Sequence, residues 1–300
     1  MTSVGDDKES LARRFEEHRG HLGAVAYRML GSLTEAEDAV QETWLRLGRA
    51  DTAAIDNLGG WLTTVTGRIC LDLLRARTTR REQPMDETFV PDPVIGPLTT
   101  QADPEQEALR ADSVGVAMLV VLEKLEPDER LAFVLHDMFA VPFDDIAPVV
   151  ERNAAATRQL ASRARRRVRD TVPPSDPDLG RQKEALDAFM AAARGGDFEA
   201  LVAVLHPDVV LRADAGALVR GITASKILRG ARTVAESALM FARYTAAARM
   251  VLVNDGAGLL SVVDGRIRSV MSFTVENGRI TAVYILADPD RLDHLEAPGP

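Results

Sequence analysis

Six arginines, Arg158, Arg163, Arg165, Arg166, Arg167 and Arg169, fall in the stretch NAAATRQLASRARRRVRD (153–170), with no acidic residue between them. A guanidinium is a planar fork of N–H donors, which matches phosphate oxygens and the acceptors on base edges. Wound as a helix, the stretch puts Leu160, Ala161, Ala164 and Val168 on one narrow apolar face and the arginines outside it. Arg158, Gln159, Ser162 and Arg163 come early enough to reach base edges, whereas Arg165, Arg166 and Arg167 suit phosphates. A charge run is more often only a solvated face. Here, however, Pro142 to Val150 predicts a short helix and Glu151-Arg152-Asn153 a tight turn, which completes a helix-turn-helix. Pro148 is awkward inside such a helix, where it removes a hydrogen bond.

Two other groups could bind rather than catalyse. Trp61, Thr64, Arg68, Asp72 and Arg75 share one flank of a predicted helix over 61–81, followed by Arg77, Arg80 and Arg81. An aromatic ring among arginines and hydroxyls can hold single-stranded bases and their phosphates, although Trp61 is equally a core residue by type. Asp38, Gln41, Glu42 and Leu45 recur at spacings of three and four, an acidic stripe with one leucine that suits a protein partner or, more blandly, water. For acid/base chemistry the candidates are His206, Asp214 and Asp288. Each stands where a turn, strand end or surface charge explains it, and no second polar group lies at fixed spacing. The sequence therefore predicts no catalytic residue, and with Cys70 as the single cysteine it predicts no metal site and no disulfide.

These groups need elements to carry them. A first helix over about 11–30 ends at Gly31. Thr34 and Glu37 form a capping box for the next, whose inward face is Ala36, Val40, Thr43, Trp44 and Leu47. After a loop at 56–60 comes the helix over 61–81, with a core stripe of Leu62, Val65, Ile69, Leu73 and Ala76. Residues 83–110 hold prolines without helical period and predict a stiff linker, in which Phe89, Val90, Val94 and Ile95 are oddly apolar for a free tether. Helices over 111–125 and 127–138 lead into the helix-turn-helix. Beyond residue 180 a helix over 183–194 and a second one capped by Asp197 precede a strand at 209–212 and a helix over 224–243. Apolar runs broken by Asp255-Gly256, Asp264-Gly265 and Asn277-Gly278 then predict an antiparallel meander. The chain of 300 residues is thus multidomain: two all-α domains and a C-terminal α+β domain.

The net charge is −9, so the basic helices are local features and non-specific nucleic-acid affinity is restrained. The N-terminus MTSVGDDKES is unlike a signal peptide, and the longest apolar run, 114–122, is too short for a bilayer, so the expected compartment is the cytoplasm, with no membrane partner.

An acidic partner-facing helix, an aromatic-arginine helix and a helix-turn-helix beyond a proline-rich tether, in this order, resemble a sigma factor of the extracytoplasmic-function group of the sigma-70 family. LTEAEDAVQETWL (33–45) looks like the family's core-binding helix, GWLTTVTGR (60–68) with LDLLR (71–75) like the segment that melts and reads the −10 element, and 144–169 like the −35 reader. The resemblance implies region 2 over 8–82, region 4 over 111–171 and a SnoaL-like cone over 181–296. It gives Asp38, Gln41, Glu42 and Leu45 to the β′ clamp helices of core RNA polymerase. It gives Trp61, Thr64, Arg68, Arg75, Arg77 and Arg80 to the −10 element, and Thr157, Arg158, Gln159, Ser162, Arg163, Arg165 and Arg166 to the −35 element. The β flap is a further implied partner, and neither a cofactor nor a separate anti-sigma factor is required. One branch with such a cone carries an Asp-Gly-Gly-Gly run, an Asn-Pro-Asp-Lys-Leu tail and a tryptophan-proline linker motif. This chain has Asp214-Ala215-Gly216-Ala217, then Asp288-Pro289-Asp290-Arg291-Leu292 as a regulatory tail, and Phe89 to Pro97 in the linker. The expected function is promoter-specific transcription initiation modulated by the C-terminal domain. The alternative is that this domain is a small-molecule-binding or isomerase/cyclase-like module on a DNA-binding regulator.

Overall fold

The computed structural model describes residues 3–79, 88–98, 114–216, 224–242, 248–254 and 256–298. The chain divides into two compact units, Met1–Pro84 with Val121–Thr171, and Met85–Val120 with Val172–Pro300.

The first unit is helical. Helix α1 (Ser3–Leu30) ends where Gly31 turns left-handed at φ 68°, and α2 (Leu33–Leu47) follows at once. Ser32, not a Thr34–Glu37 box, caps α2, its hydroxyl accepting from the Glu35 amide at 3.4 Å. Because the helix begins at Leu33, Thr34 already sits inside the first turn. Helix α3 (Leu58–Thr79) starts earlier than expected: the Asn57 side chain accepts from the Gly60 amide at 3.0 Å, so Gly59 and Gly60 are helical rather than loop. Its buried face also differs. Leu62 and Ile69 are interior, but so are Cys70, Leu71 and Leu74, while Leu73 is 40% exposed. Helix α3 packs against α1 and α2 on one side and a later helix on another, so its interior stripe is wider than one amphipathic face. Phe15, Leu22, Val40, Leu47, Leu58 and Leu62 fill the core of this three-helix part. Between α2 and α3 the buried Thr43 and Thr66 hydroxyls meet at 2.9 Å.

Helix α4 (Val116–Leu122) carries the boundary between the units. Helix α5 (Pro127–Phe133) has Pro127 in its first turn, as the sequence suggests, and runs into a π-helical turn over Val134–Met138. Gly67 of α3 faces α5 so closely that a Cβ there would lie 3.0 Å from Leu135 and 3.1 Å from Leu131. Helix α6 (Phe143–Ile146) is shorter than the predicted 142–150, which leaves Pro148 in the following turn, where it breaks nothing. Glu151, at φ 56°, reverses the chain into α7 (Ala154–Thr171), capped by the Asn153 side chain on the Ala156 amide.

The second unit is a mixed α+β domain. Helix α8 (Leu179–Gly195) is capped by Asp178 and closed by the left-handed Gly196, and Asp197 caps α9 (Phe198–Val204). The predicted helix over 224–243 is a correction: 226–229 is a strand, and the helix, α10, runs only from Ala231 to Met240. Pairing of Val210 with Arg229 through Ala213 with Lys226 holds these residues extended, so tertiary pairing overrides local propensity. The strands are β1 (Ile95–Gly96), β2 (Leu205–Asp214), β3 (Lys226–Arg229), β4 (Ala248–Val253), β5 (Gly256–Val263), β6 (Arg266–Glu276) and β7 (Arg279–Leu286), in sheet order β1-β4-β5-β6-β7-β2-β3. From β4 to β7 the sheet is the expected meander, with Asp264-Gly265 and Asn277-Gly278 left-handed at both positions, as tight hairpins require. It is not wholly antiparallel, because β2 runs parallel to β7. One sheet face buries Leu186, Phe189, Leu259, Phe273 and Val283 with the helices. The other buries Val251, Val270, Tyr284 and Leu286 beneath Val90, Val116, Val120 and, from the short tail helix α11 (Pro289–Leu292), Leu292. Val90 and Ile95 of the linker are thus part of this domain's second core, whereas Val94 is 47% exposed.

Candidate nucleic-acid interface and linker clamp

On α2, Asp38, Gln41 and Leu45 are exposed, Leu45 at 51%, on the face opposite Ala36, Val40, Thr43 and Leu47. Glu42 is half-buried and pairs with Arg46 at 3.0 Å. The stripe is therefore continuous, with one carboxylate partly neutralised by its own helix.

On α3, Arg68 and Asp72 are exposed beside Leu73, and Trp61 and Thr64 are half-buried. The Thr64 hydroxyl donates to the Gly60 carbonyl. Trp61 leans on the core of Phe15 and Leu58, so it is both a packing residue and partly open. Two arginines of this group are already engaged: Arg75 donates to Asp128 at 2.9 Å, and Arg77 pairs with Glu35. Arg80 lies outside the described residues.

Helix α7 corrects one expectation. Thr157 is fully buried, its hydroxyl donating to the Asn153 carbonyl, so it faces the supporting helices and cannot reach a base. It follows the buried stripe of Leu160, Ala161 and Ala164 one turn back. Arg158, Gln159, Ser162, Arg163, Arg165 and Arg166 are exposed. Their environments differ in a way the sequence does not show. Glu129, itself buried, accepts from Arg163 at 2.7 Å and stands 3.1 Å from Arg167, and Asp137 pairs with Arg165. Among the described residues, Arg158 and Arg166 have no carboxylate partner. A cleft of about 480 Å³ lies where Arg75, Arg152 and Arg163 meet Asp128 and Glu129. The signal for these partners was present but unread: Pro127-Asp128-Glu129 is an acidic first turn on the helix that supports α7. Glu123 and Arg130, missed entirely, form a closed pair at 2.9 Å, in which burial pushes the Glu123 carboxyl above its ordinary range.

In the second unit the tail and the linker meet at Arg291. Its guanidinium donates to Asp92 at 2.8 Å, to Asp214 at 2.9 Å and to the Val90 carbonyl at 2.7 Å, and lies 4.7 Å from the centre of the Phe89 ring. Asp214 also accepts from the Val90 amide. Asp288 caps α11 by accepting from the Asp290 amide, and Leu292 is buried. Gly216, at φ 80°, approaches Asp288 so closely that a Cβ would lie 2.8 Å from its carboxylate, so this position of the altered glycine run still requires glycine. Ala217 lies outside the described residues. Pro289 opens α11 and Asp290 stands in its first turn. Asn254, left-handed at φ 55°, accepts from the Val94 amide at 3.1 Å and donates to the Val114 carbonyl at 2.9 Å, so one carboxamide bonds both the linker at Val94 and the backbone just before α4. Asp214 and Asp288 thus serve structure, and His206 accepts from the Asp208 amide within its own strand. Among the described residues no group of three or more His, Cys, Asp or Glu could hold a metal, and no helix is long and apolar enough to cross a membrane.

Residues 14–80 match Sigma-70 region 2, and residues 116–168 match Sigma-70, region 4. Over 293 residues the chain is 40% identical to the ECF RNA polymerase sigma factor SigJ of Mycobacterium tuberculosis, covering 92% of this chain and 91% of that protein. It belongs to the ECF sigma factors. A probable ECF RNA polymerase sigma factor of the same species, SigI, is 33% identical over 292 residues, covering 96% of this chain and 97% of that one. The crystal structure of the M. tuberculosis extracytoplasmic function sigma factor SigJ superposes with a TM-score of 0.72 at 36% identity, over 94% of this chain and 98% of that chain. As an ECF sigma factor, the protein binds core RNA polymerase and promoter DNA and directs transcription initiation. Its helical regions 2 and 4 are followed by a mixed α+β domain.

Proposed function

We propose that this sigma factor is controlled within its own chain: the C-terminal domain grips the linker between regions 2 and 4 and so decides whether both promoter elements can be engaged together. The observation that carries the reading is the Arg291 clamp, where one guanidinium ties Asp92 and Val90 of the linker to Asp214 of β2. The chain joining the two DNA-binding regions is the chain the C-terminal domain holds. Tethering in the same molecule makes the effective concentration of the grip high. Control of this kind requires no separate anti-sigma factor. In the same reading, Asp38, Gln41, Glu42 and Leu45 meet the β′ clamp helices and region 4 meets the β flap. Trp61, Thr64 and Arg68 work at the −10 element, and Arg158, Gln159, Ser162 and Arg166 at the −35 element.

A charge exchange tests the clamp. Arg291→Asp removes the cation from two nearly buried carboxylates, at a cost on the order of 3 kcal/mol to the closed arrangement. Run-off transcription by the reconstituted holoenzyme should shift with Arg291→Asp and with Asp92→Arg, and return toward the parental level when the two are combined. Equal output from all four proteins would overturn the reading.

A further inference from the structure

We infer that Phe143 is a positioning residue for promoter recognition, holding Arg158 of the recognition helix to read one guanine of the −35 element. The inference rests on the reading that Arg158 touches a base edge. Phe143 is half-buried at the start of α6, and its ring stacks on His136 with centroids 3.7 Å apart and planes at 26°. His136 belongs to the π-helical turn that ends α5, and its Nδ1 stands 3.0 Å from the Val141 carbonyl. A carbonyl only accepts, so Nδ1 carries the hydrogen and the ring is oriented by backbone. Over the same Phe143 ring, at 5.6 Å from its centre, lies the Arg158 guanidinium. One aromatic ring therefore links a ring anchored to the supporting helices with the first arginine of α7.

What distinguishes Arg158 is the kind of restraint. Arg163 and Arg165 are held through their N–H donors by Glu129 and Asp137, a donor given to a carboxylate is unavailable to a base, and Arg167 is ion-paired with Glu129. A cation–π contact restrains the guanidinium through its charge and leaves the in-plane donors open. Open donors on a restrained arginine in the first turns of a recognition helix suit the paired acceptors O6 and N7 of guanine in the major groove. Arg166, exposed and without such a ring among the described residues, remains suited to phosphate.

The test measures holoenzyme binding to a set of promoters in which each −35 base pair is replaced in turn, with full-length protein carrying Arg158→Ala, Phe143→Leu, Phe143→Tyr and the pair Phe143→Leu/Arg158→Ala. Leucine keeps apolar volume but removes the π face, and tyrosine restores it. Arg158→Ala should lose preference at one guanine by about tenfold or more. Phe143→Leu should lose about 3- to 5-fold at that same position and no other. Phe143→Tyr should retain the preference, and the pair should be no worse than Arg158→Ala. If Arg158→Ala relaxes one position while Phe143→Leu weakens every promoter equally, Phe143 only packs and the inference fails. If Arg158→Ala leaves every preference intact, the base-reading assignment itself fails, and the inference with it.

Discussion

Glu123 and Arg130 face each other at 2.9 Å with side chains 7% and 3% exposed, and Arg130 also donates to the Met29 carbonyl. Removing the cation alone strands a buried carboxylate, so Arg130→Met should destabilise the helical unit by about 3–5 kcal/mol, and Glu123→Gln by less, in thermal melts. Burial raises the folded-state pKa of Glu123 against the opposing pull of Arg130. A carboxyl raised in the fold binds its proton more tightly there than in the unfolded chain. Its contribution is therefore present below the ordinary carboxylate range and lost as pH rises through the folded value. Glu123→Gln lacks this loss, so its melting temperature should gain on the parent as pH rises across that window; parallel curves would contradict the assignment. Cys70 is fully buried, and its thiol is pushed up to about 12 by desolvation. Thiolate is the reactive form, so at neutral pH a thiol reagent should label Cys70 only as the unit unfolds. Spacing alone does not find the Glu123–Arg130 pair, because its members lie seven residues apart across a helix end and close only when the chain packs.

At the scale of elements, the helices that present the candidate faces were legible because each carries a strong period, and those misjudged were set by neighbours. The α2 stripe is opposite a packed face, so Asp38→Arg should weaken core polymerase binding without unfolding the protein, at a few kcal/mol if its partner is a desolvated cation. Glu42→Arg should do the same with a smaller change, because Glu42 is partly satisfied by Arg46. Titration against core enzyme decides both, and unchanged affinity would return the stripe to water. On α7, Thr157→Ala should lower stability and leave promoter preference alone, since its hydroxyl is buried on Asn153. Arg166→Ala should weaken all promoters alike, as loss of a phosphate contact does, and salt dependence of binding should flatten with it. Thr157 entered the −35 set with the family resemblance, whereas in the structure it continues the buried stripe of Leu160 and Ala164. The strand at 226–229 was missed for a related reason: only pairing with β2 makes it extended.

For the whole molecule, the apolar Phe89–Ile95 stretch is the feature whose sequence and structure agree most usefully. Its composition is wrong for a free tether, and Val90 is 2% exposed within the second core of the C-terminal domain. What it docks on could not be read, because Arg291 lies 199 residues from Asp92. Loss of the tail beyond Ala287 removes Arg291 and the buried Leu292 but leaves the sheet. Loss of residues 181–300 instead strips the cover from Val90, Val116 and Val120. Control of initiation through the grip on the linker is decided by run-off transcription with purified core polymerase, comparing full-length protein with these two truncations after circular dichroism shows both folded. Output should rise when the chain ends at Ala287 and fall when residues 181–300 are removed. Output equal to that of the full-length protein in both would make the C-terminal domain a passenger and contradict the claim.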